Sequence, residues 1–466
     1  MSLCYTEPYL LSLCPAHEMN VVWLIRGEYE GYVEYGDSPQ LLRQRAAAER
    51  FEIEGFRAAA GGEGYAAEEK ENPPVAVWQL IAKISGRPAG KTYYRIVTRC
   101  GETEERSEIF DFDTPAPDGR ASFLLLSDLQ LNPPCEDTVR RAGREAFDFM
   151  LYAGDFVFWN AHISEWFSYP DGYNDPAHAG RQFFTAMQQR DGGCRLMQYR
   201  PFFPCPGNHD VDDYAATGYG RETAREEKNW TWRLYMQLFR PLYPTSDYGA
   251  GGRRWYSADY GRVHIVSLSV QRWAAWGAYE APGWTYYDSV AEGSPQLLWL
   301  ENDLGACENR YKWVIMHWHM MNKGNDVQVP FCRPVLDRLY PGSVEYPSCD
   351  CEAQLRPLFE RFGVNGVSFG HSHVYERYEV NGVHYIEAAF LGKCCRAAGR
   401  EAPLHPTGHA PVVEQNRLRS FMIVTAGERL TARAILAEGG EAGKVFDAFE
   451  LVSEAAGQRS RQVYAR

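Results

Sequence analysis

Phe123-Leu124-Leu125-Leu126-Ser127-Asp128-Leu129-Gln130 opens the part of the chain whose reading decides the fold. Four bulky apolar residues in a row are too short for a buried helix and fit a strand covered on both faces, and an aspartate follows almost at once. The pattern returns downstream. Phe149-Met150-Leu151-Tyr152 leads into Ala153-Gly154-Asp155, Phe202-Phe203-Pro204-Cys205-Pro206 into Gly207-Asn208-His209-Asp210, Trp313-Val314-Ile315-Met316 into His317-Trp318-His319, and Val364 to Phe369 into Gly370-His371-Ser372-His373. In open α/β sheets the carboxyl ends of parallel strands face a common crevice, so these five ends would gather their polar residues in one place.

Working outward, Val263 to Leu268 is a further buried strand, and Thr138 to Phe149 and Glu352 to Phe362 have helical spacing, the second stopped by Gly363. Ser294-Pro295 is a helix start, with serine as cap and proline in the first turn. The expectation is a layered α/β domain with mixed sheets over residues 120–466. Upstream, Val21 to Ile25, Tyr32 to Tyr35, Val75 to Leu80 and Thr92 to Val97 are short β-branched and aromatic runs with Gly or Pro in the gaps. They predict a small all-β sandwich over residues 1–116. Within it, the Gly- and Glu-rich stretch Ala58 to Asn72 reads as a loop, and Thr114 to Arg120, with two prolines and a glycine, reads as a linker.

The bulk numbers narrow the function. The 466 residues exceed the usual size of one core, and 48 Lys plus Arg against 61 Asp plus Glu leave a net charge of −13. A field of that sign repels a polyanion, so long nucleic acids and anionic membranes are not expected as partners, whereas a small phosphate ester remains compatible. No run is apolar and long enough to span a bilayer, and Met1-Ser2-Leu3-Cys4 begins no secretory leader. As it stands the chain reads as cytoplasmic, or extracytoplasmic if a leader has been removed. The 12 cysteines are scattered without a CxxC pair, which favours ordinary buried thiols over a zinc module or disulfide framework. Cys349 with Cys351, and Cys394 with Cys395, are the only close pairs.

Asp, Asn and His at converging strand ends are the donors that manganese, iron or zinc accept, and one carboxylate between two strands can bridge ions about 3.5–4 Å apart. A glycine before Asp155, Asn208 and His371 is expected to let the backbone turn so that each ligand points inward. Each element also has a bland reading. A lone Gly-Asp is usually a turn, Asn208-His209-Asp210 could be a loop network, His317 and His319 could be core histidines, and Asp128 could cap the next segment. Five independent strand ends carrying ligand residues together weigh against all of these at once.

The ordered set Asp128, Gly154-Asp155, Gly207-Asn208-His209-Asp210, Val314-x-x-His317 and Gly370-His371-x-His373 resembles the calcineurin-like metallophosphoesterase superfamily. Gly370 to Arg377, Gln296 to Leu300 and the N-terminal block with Trp23, Tyr35-Gly36 and Gly90 to Tyr94 look like its purple acid phosphatase branch, whose N-terminal domain is fibronectin-like. The resemblance implies a four-layer α/β/β/α sandwich and a metal-dependent phosphoester hydrolase using two transition-metal ions, Fe, Mn or Zn. It implies that Asp155 bridges the ions, that Asp128 and His373 hold the first, and that Asn208, His317 and His371 hold the second. His209 would touch the phosphoryl group and protonate the leaving oxygen, and Asp210 would fix its ring. His319, two residues beyond His317, could contact the phosphate as well, or could equally support a ligand from behind. The reaction implied is in-line attack of a hydroxide shared by the two ions on a phosphomonoester or small phosphodiester. Two departures stand out. Phe158 occupies the place of the purple enzymes' tyrosinate, which implies a colourless protein, and Gln130 stands where a glycine or histidine is usual, so its amide oxygen is a further candidate ligand. Alternatives are a cyclic-nucleotide phosphodiesterase or nuclease on the same centre, and an inactive binding protein that uses its β-sandwich.

Overall fold

The computed structural model describes residues 2–56, 74–130, 135–157, 160, 162–168, 182–188, 194–211, 229–243, 253–270, 288, 290, 292–307, 310–318, 320–321, 351–371, 373–387, 411–415 and 418–451. The Ala58–Asn72 loop, Phe158, His319 and the Cys349 and Cys394-Cys395 positions lie outside them. Among the described residues no helix is long and apolar enough to cross a membrane, and Cys4, Cys14, Cys100, Cys194, Cys205, Cys307 and Cys351 are free thiols.

The N-terminal part is all antiparallel β. Its strands are β1 (Tyr9–Leu11), β2 (Glu18–Ile25), β3 (Glu30–Gly36), β4 (Gln44–Ile53), β5 (Val77–Ser85), β6 (Gly90–Cys100), β7 (Thr103–Arg106) and β8 (Phe110–Thr114). They run in the order β1-β2-β5-β4-β3-β6-β7, with β8 also on β6. The first half of β4 pairs with β3 and the second half with β5, so this strand passes from one layer of the sandwich to the other.

The apolar run in β2 has a reason that a two-faced strand supplies. Val21, Trp23 and Ile25 point into the core of the β part, while Val22 and Leu24 join the large core of the second part. The two parts are therefore packed together. Tyr9 Oη and Gln79 Nε2 both donate to Leu238 O, at 2.8 and 3.0 Å, and Tyr94 Oη donates to Gln198 O at 2.6 Å. The expected linker is tied as well, since Arg262 N and Nε donate to Gly119 O and Asp118 O.

Two further sheets face each other. One has the order β12-β10-β9-β20-β21-β22, from β9 (Ala121–Leu126), β10 (Phe149–Tyr152), β12 (Phe202–Pro204), β20 (Ser420–Ala426), β21 (Leu430–Leu436) and β22 (Val445–Leu451); the two-residue β11 (Cys194–Arg195) bridges to Gln188. The other has the order β13-β14-β15-β16-β18-β17-β19, from β13 (Tyr256–Tyr260), β14 (Val263–Ser267), β15 (Tyr311–Ile315), β16 (Gly366–Phe369), β17 (Tyr375–Val380), β18 (Val383–Glu387) and β19 (Val413–Gln415). β9, β10 and β12 are parallel, as are β14, β15, β16 and β18, whereas β20, β21 and β22 in the first sheet and β13, β17 and β19 in the second pair antiparallel. Both sheets are therefore mixed.

Between the sheets lies the large core. Trp313 and Ile315 point into it, and Val314 and Met316 point the other way, into a second core under the helices Pro295–Ala306 and Cys351–Arg361. The order of layers is thus helix, sheet, sheet, helix. Ser294 caps the first of these helices by accepting from Leu297 N at 3.4 Å, and Gly363 ends the second with φ +63°. The helical spacing from Thr138 overruns, however: that helix is Cys135–Ala142, and Phe149 already begins β10.

Candidate metal centre

Asp128 and Asp155 follow β9 and β10, His317 follows β15, and His371 and His373 follow β16. Since these strands end at the same edge of the facing sheets, residues far apart in the chain become neighbours. Asp155, His317 and His371 have ligand atoms within 4.8 Å of one another, and so do Asp128, Asp155 and His373. Asp155 belongs to both groups.

The loops that carry these groups are held in an unusual backbone state. Asp128 (φ 55°), Asp155 (φ 59°), His371 (φ 79°) and His373 (φ 56°) are left-handed, a conformation that non-glycine residues adopt at a cost and that clusters at functional sites. The expectation that the preceding glycines do the turning is met only at Gly154, with φ +84°. Gly207 and Gly370 serve by their lack of bulk. A Cβ on Gly207 would lie 2.0 Å from Asp155 Oδ1, and one on Gly370 would lie 2.6 Å from Asp128 Oδ2.

Backbone amides then orient the carboxylates. Asp128 Oδ1 accepts from His371 N at 3.0 Å, and Asp155 Oδ1 accepts from His209 N at 3.0 Å. Asp128 Oδ2 is buried and has no hydrogen-bond partner among the described residues, a state that is costly for a carboxylate oxygen unless a cation fills the gap. His317 is fixed from behind. Ala153 O can only accept, so the 2.7 Å contact puts the proton on His317 Nδ1. Its Nε2 faces Asp155 Oδ2 at 3.2 Å, two atoms that attract each other only through a proton or a metal ion. Burial opposes a charge on this imidazole, but the Asp155 carboxylate outweighs it and raises the pKa to about 9. Burial tends to raise Asp155 in turn, and the histidines around it, His317 first, hold it well below the ordinary carboxylate value. Burial and the neighbouring His317 push His371 far down, which keeps its lone pair available to a ligand. Trp318 braces that ring, with centroids 3.9 Å apart.

Asp210 does not grip the ring of His209 in the way expected. Its oxygens accept from Asp155 N (2.8 Å), Phe156 N (2.8 Å) and Gly207 N (2.7 Å), which pins the Asp155 loop to the His209 loop. Burial and then Asp155 push its carboxyl up, to about 8. The side chain of His209 is 25% exposed, and its Nε2 lies 4.0 Å from Asp155 Oδ2. Gln130 lies inside, with Nε2 2.6 Å from Asp155 Oδ2. Asn208 begins the short helix Asn208–Val211, and its side chain, like His319, is outside what is described.

Glu387 is absent from the candidates that the sequence suggests. It ends β18 as the aspartates end their strands, is fully buried, and accepts from Val374 N at 3.4 Å just behind His373. Burial and then Asp128 push its carboxyl well above the ordinary value. The signal is present in Val383-His384-Tyr385-Ile386-Glu387, one more apolar run closed by an acid.

The sequence signature described as calcineurin-like phosphoesterase matches residues 121–375, over half the chain and the strand ends that carry Asp128, Asp155, His209, His317, His371 and His373. The chain belongs to the calcineurin-like phosphoesterase family. It is 25% identical over 310 residues to acid phosphatase type 7 of Danio rerio, covering 62% of this chain and 55% of that protein. With acid phosphatase type 7 of Mus musculus it shares 25% over 289 residues, covering 60% and 53%. The chain thus spans about half the length of these curated relatives. Among solved structures, a purple acid phosphatase from seeds of yellow lupin (Lupinus luteus) superposes with a TM-score of 0.64 at 15% identity, covering 95% of this chain and 73% of that one. A structure titled PhoD superposes with a TM-score of 0.61 at 13% identity, covering 100% and 93%. At such identities the two structures speak for the fold.

Proposed function

We propose that this chain hydrolyses small phosphate esters with two transition-metal ions held at the strand ends. The observation that carries the reading is the sharing of Asp155 between two groups of ligand atoms, each within 4.8 Å. The donors fit such ions: Asp128 Oδ2 lacks a partner among the described residues, His317 presents Nε2, and Gly207 and Gly370 leave space beside the carboxylates. Asp128, Asp155 and His373 would hold one ion, and Asp155, His317, His371 and Asn208 the other. When bound, such a pair activates water and neutralises charge on the phosphoryl oxygens.

The protein's own part is orientation and proton transfer. The partly exposed ring of His209, beside Asp155, supports its role as a phosphoryl contact and general acid toward the leaving oxygen, a contribution of about 10²- to 10⁴-fold. Asp210 supports this from below by fixing the helix turn that carries His209. His319 is proposed as a second phosphate contact from its place in the sequence. Two histidines and closely ringed carboxylates suit a small ester and disfavour the reading as a binding protein only.

The test loads the protein with Mn, Fe and Zn separately and assays phosphomonoesters and phosphodiesters beside a metal count. Near two ions per chain and turnover are expected, with both lost in Asp155→Ala. Full turnover in that variant would overturn the proposal.

A further inference from the structure

Gln130 lies two residues beyond Asp128 and is buried, with φ 42°. The turn beneath it is pinned, because Leu129 N donates to Tyr152 Oη at 3.0 Å and the Tyr152 ring stacks on Phe156 at 4.3 Å. The side chain is thereby delivered to one oxygen of the shared carboxylate, with Nε2 2.6 Å from Asp155 Oδ2. That oxygen also faces His317 Nε2, while Oδ1 is taken by His209 N. An amide oxygen at 2.6 Å from a carboxylate oxygen would press two acceptors together in a buried site, and only the amide N–H makes the contact attractive.

We infer that Gln130 is a positioning residue, which donates its amide hydrogen to Asp155 Oδ2, sets the rotation of the shared carboxylate, and holds no ion itself. The inference rests on the two-ion reading and deepens it. Because one carboxylate serves both ions, a change at Gln130 moves both affinities in the same direction. A glutamine acting as an amide-oxygen ligand would make the opposite prediction on gaining a charge, since a carboxylate binds a divalent cation more strongly than an amide does.

The sign of that effect is the test. Manganese affinity is measured by competition with a chelating indicator for the unmodified chain, Gln130→Glu, Gln130→Met and Asp155→Ala, with circular dichroism reporting the fold. Gln130→Glu sets an acceptor against an acceptor and is expected to weaken manganese about tenfold or more, and Gln130→Met, which keeps the bulk without the donor, about as much, the range seen for groups that orient metal ligands. Manganese held as tightly or more tightly by Gln130→Glu overturns the inference, and so does unchanged affinity in Gln130→Met, which decides alone if the glutamate variant does not fold. Should the unmodified chain itself bind no manganese, it is the two-ion reading that fails. Two ions in the unmodified chain with a tighter Gln130→Glu would sink only the role of Gln130.

Discussion

Asp155 is hemmed in on every side, and the tightest neighbour is a missing methyl. With only 2.0 Å between an ideal Cβ at position 207 and Asp155 Oδ1, Gly207→Ala must displace the carboxylate or its loop. Overpacking of this kind costs about 1–3 kcal/mol, so the variant is expected to stay folded by circular dichroism while losing bound metal and most turnover. A variant with full metal content would show that the loop yields without moving the ligand. The ligand types are legible in the sequence alone, because carboxylates and imidazoles at repeated strand ends have few other uses. Their backbone state is not. Left-handed Asp128, Asp155, His371 and His373 have no local signature, since aspartate and histidine carry no preference strong enough to announce it. The division of labour between Gln130 and Asp210 is hidden for the same reason, as it depends on which atom of each side chain faces which backbone amide.

At the scale of single elements, the pairing of β13 with β14 and the helix Pro295–Ala306 sets a histidine between two carboxylates, away from the candidate metal centre. His264 Nδ1 lies 2.8 Å from Asp259 Oδ1 across the strand pair, and Nε2 lies 2.9 Å from Asp303 Oδ2 on the helix. Burial works against the charged ring, but the two carboxylates prevail and lift its pKa from 6.5 to about 11. A raised folded value means that the stabilisation is complete below about pH 6.5, the unfolded value, and is lost as the pH climbs toward 11. Urea midpoints of the unmodified chain and His264→Gln are therefore expected to differ most near pH 6 and to converge toward pH 10. A gap that widens over that range would reverse the assigned charge. Strand existence is easy to read here and helix ends are not. Phe149 to Tyr152 has the composition of a buried strand, whereas the helix stops at Ala142, well short of β10, although the helical spacing extends straight through to Phe149.

For the molecule as a whole, the N-terminal sandwich has a core of its own and also contributes side chains to the large core of the mixed sheets. Tyr9, Leu11, Val22, Leu24, Ile53, Phe56 and Val77 cluster with residues of the sheets beyond. Calorimetry is thus expected to give one unfolding transition, and Tyr9→Phe, which removes the hydrogen bonds to Leu238 O and from Gln79 Nε2, with Tyr94→Phe, which removes the one to Gln198 O, each bond worth about 1 kcal/mol, should lower its midpoint without dividing it. Two resolved transitions would mean that the contact is too weak to couple the parts. Composition distinguishes two regimes along the chain but does not reveal this union, because alternate residues of β2 look alike whether they face a core of their own or a neighbour's.

The order β10-β9-β20 puts the strand leading to Asp128 against one that begins only at Ser420. Every proposed ligand has left the ribosome by His373, yet the antiparallel partner that closes the sheet around β9 has not. Synthesis halted between these points would yield molecules with a full set of donors and no scaffold to aim them. On the two-ion reading, cation capture therefore waits for β20 to close the sheet, and nascent chains are expected to compete poorly for scarce metal.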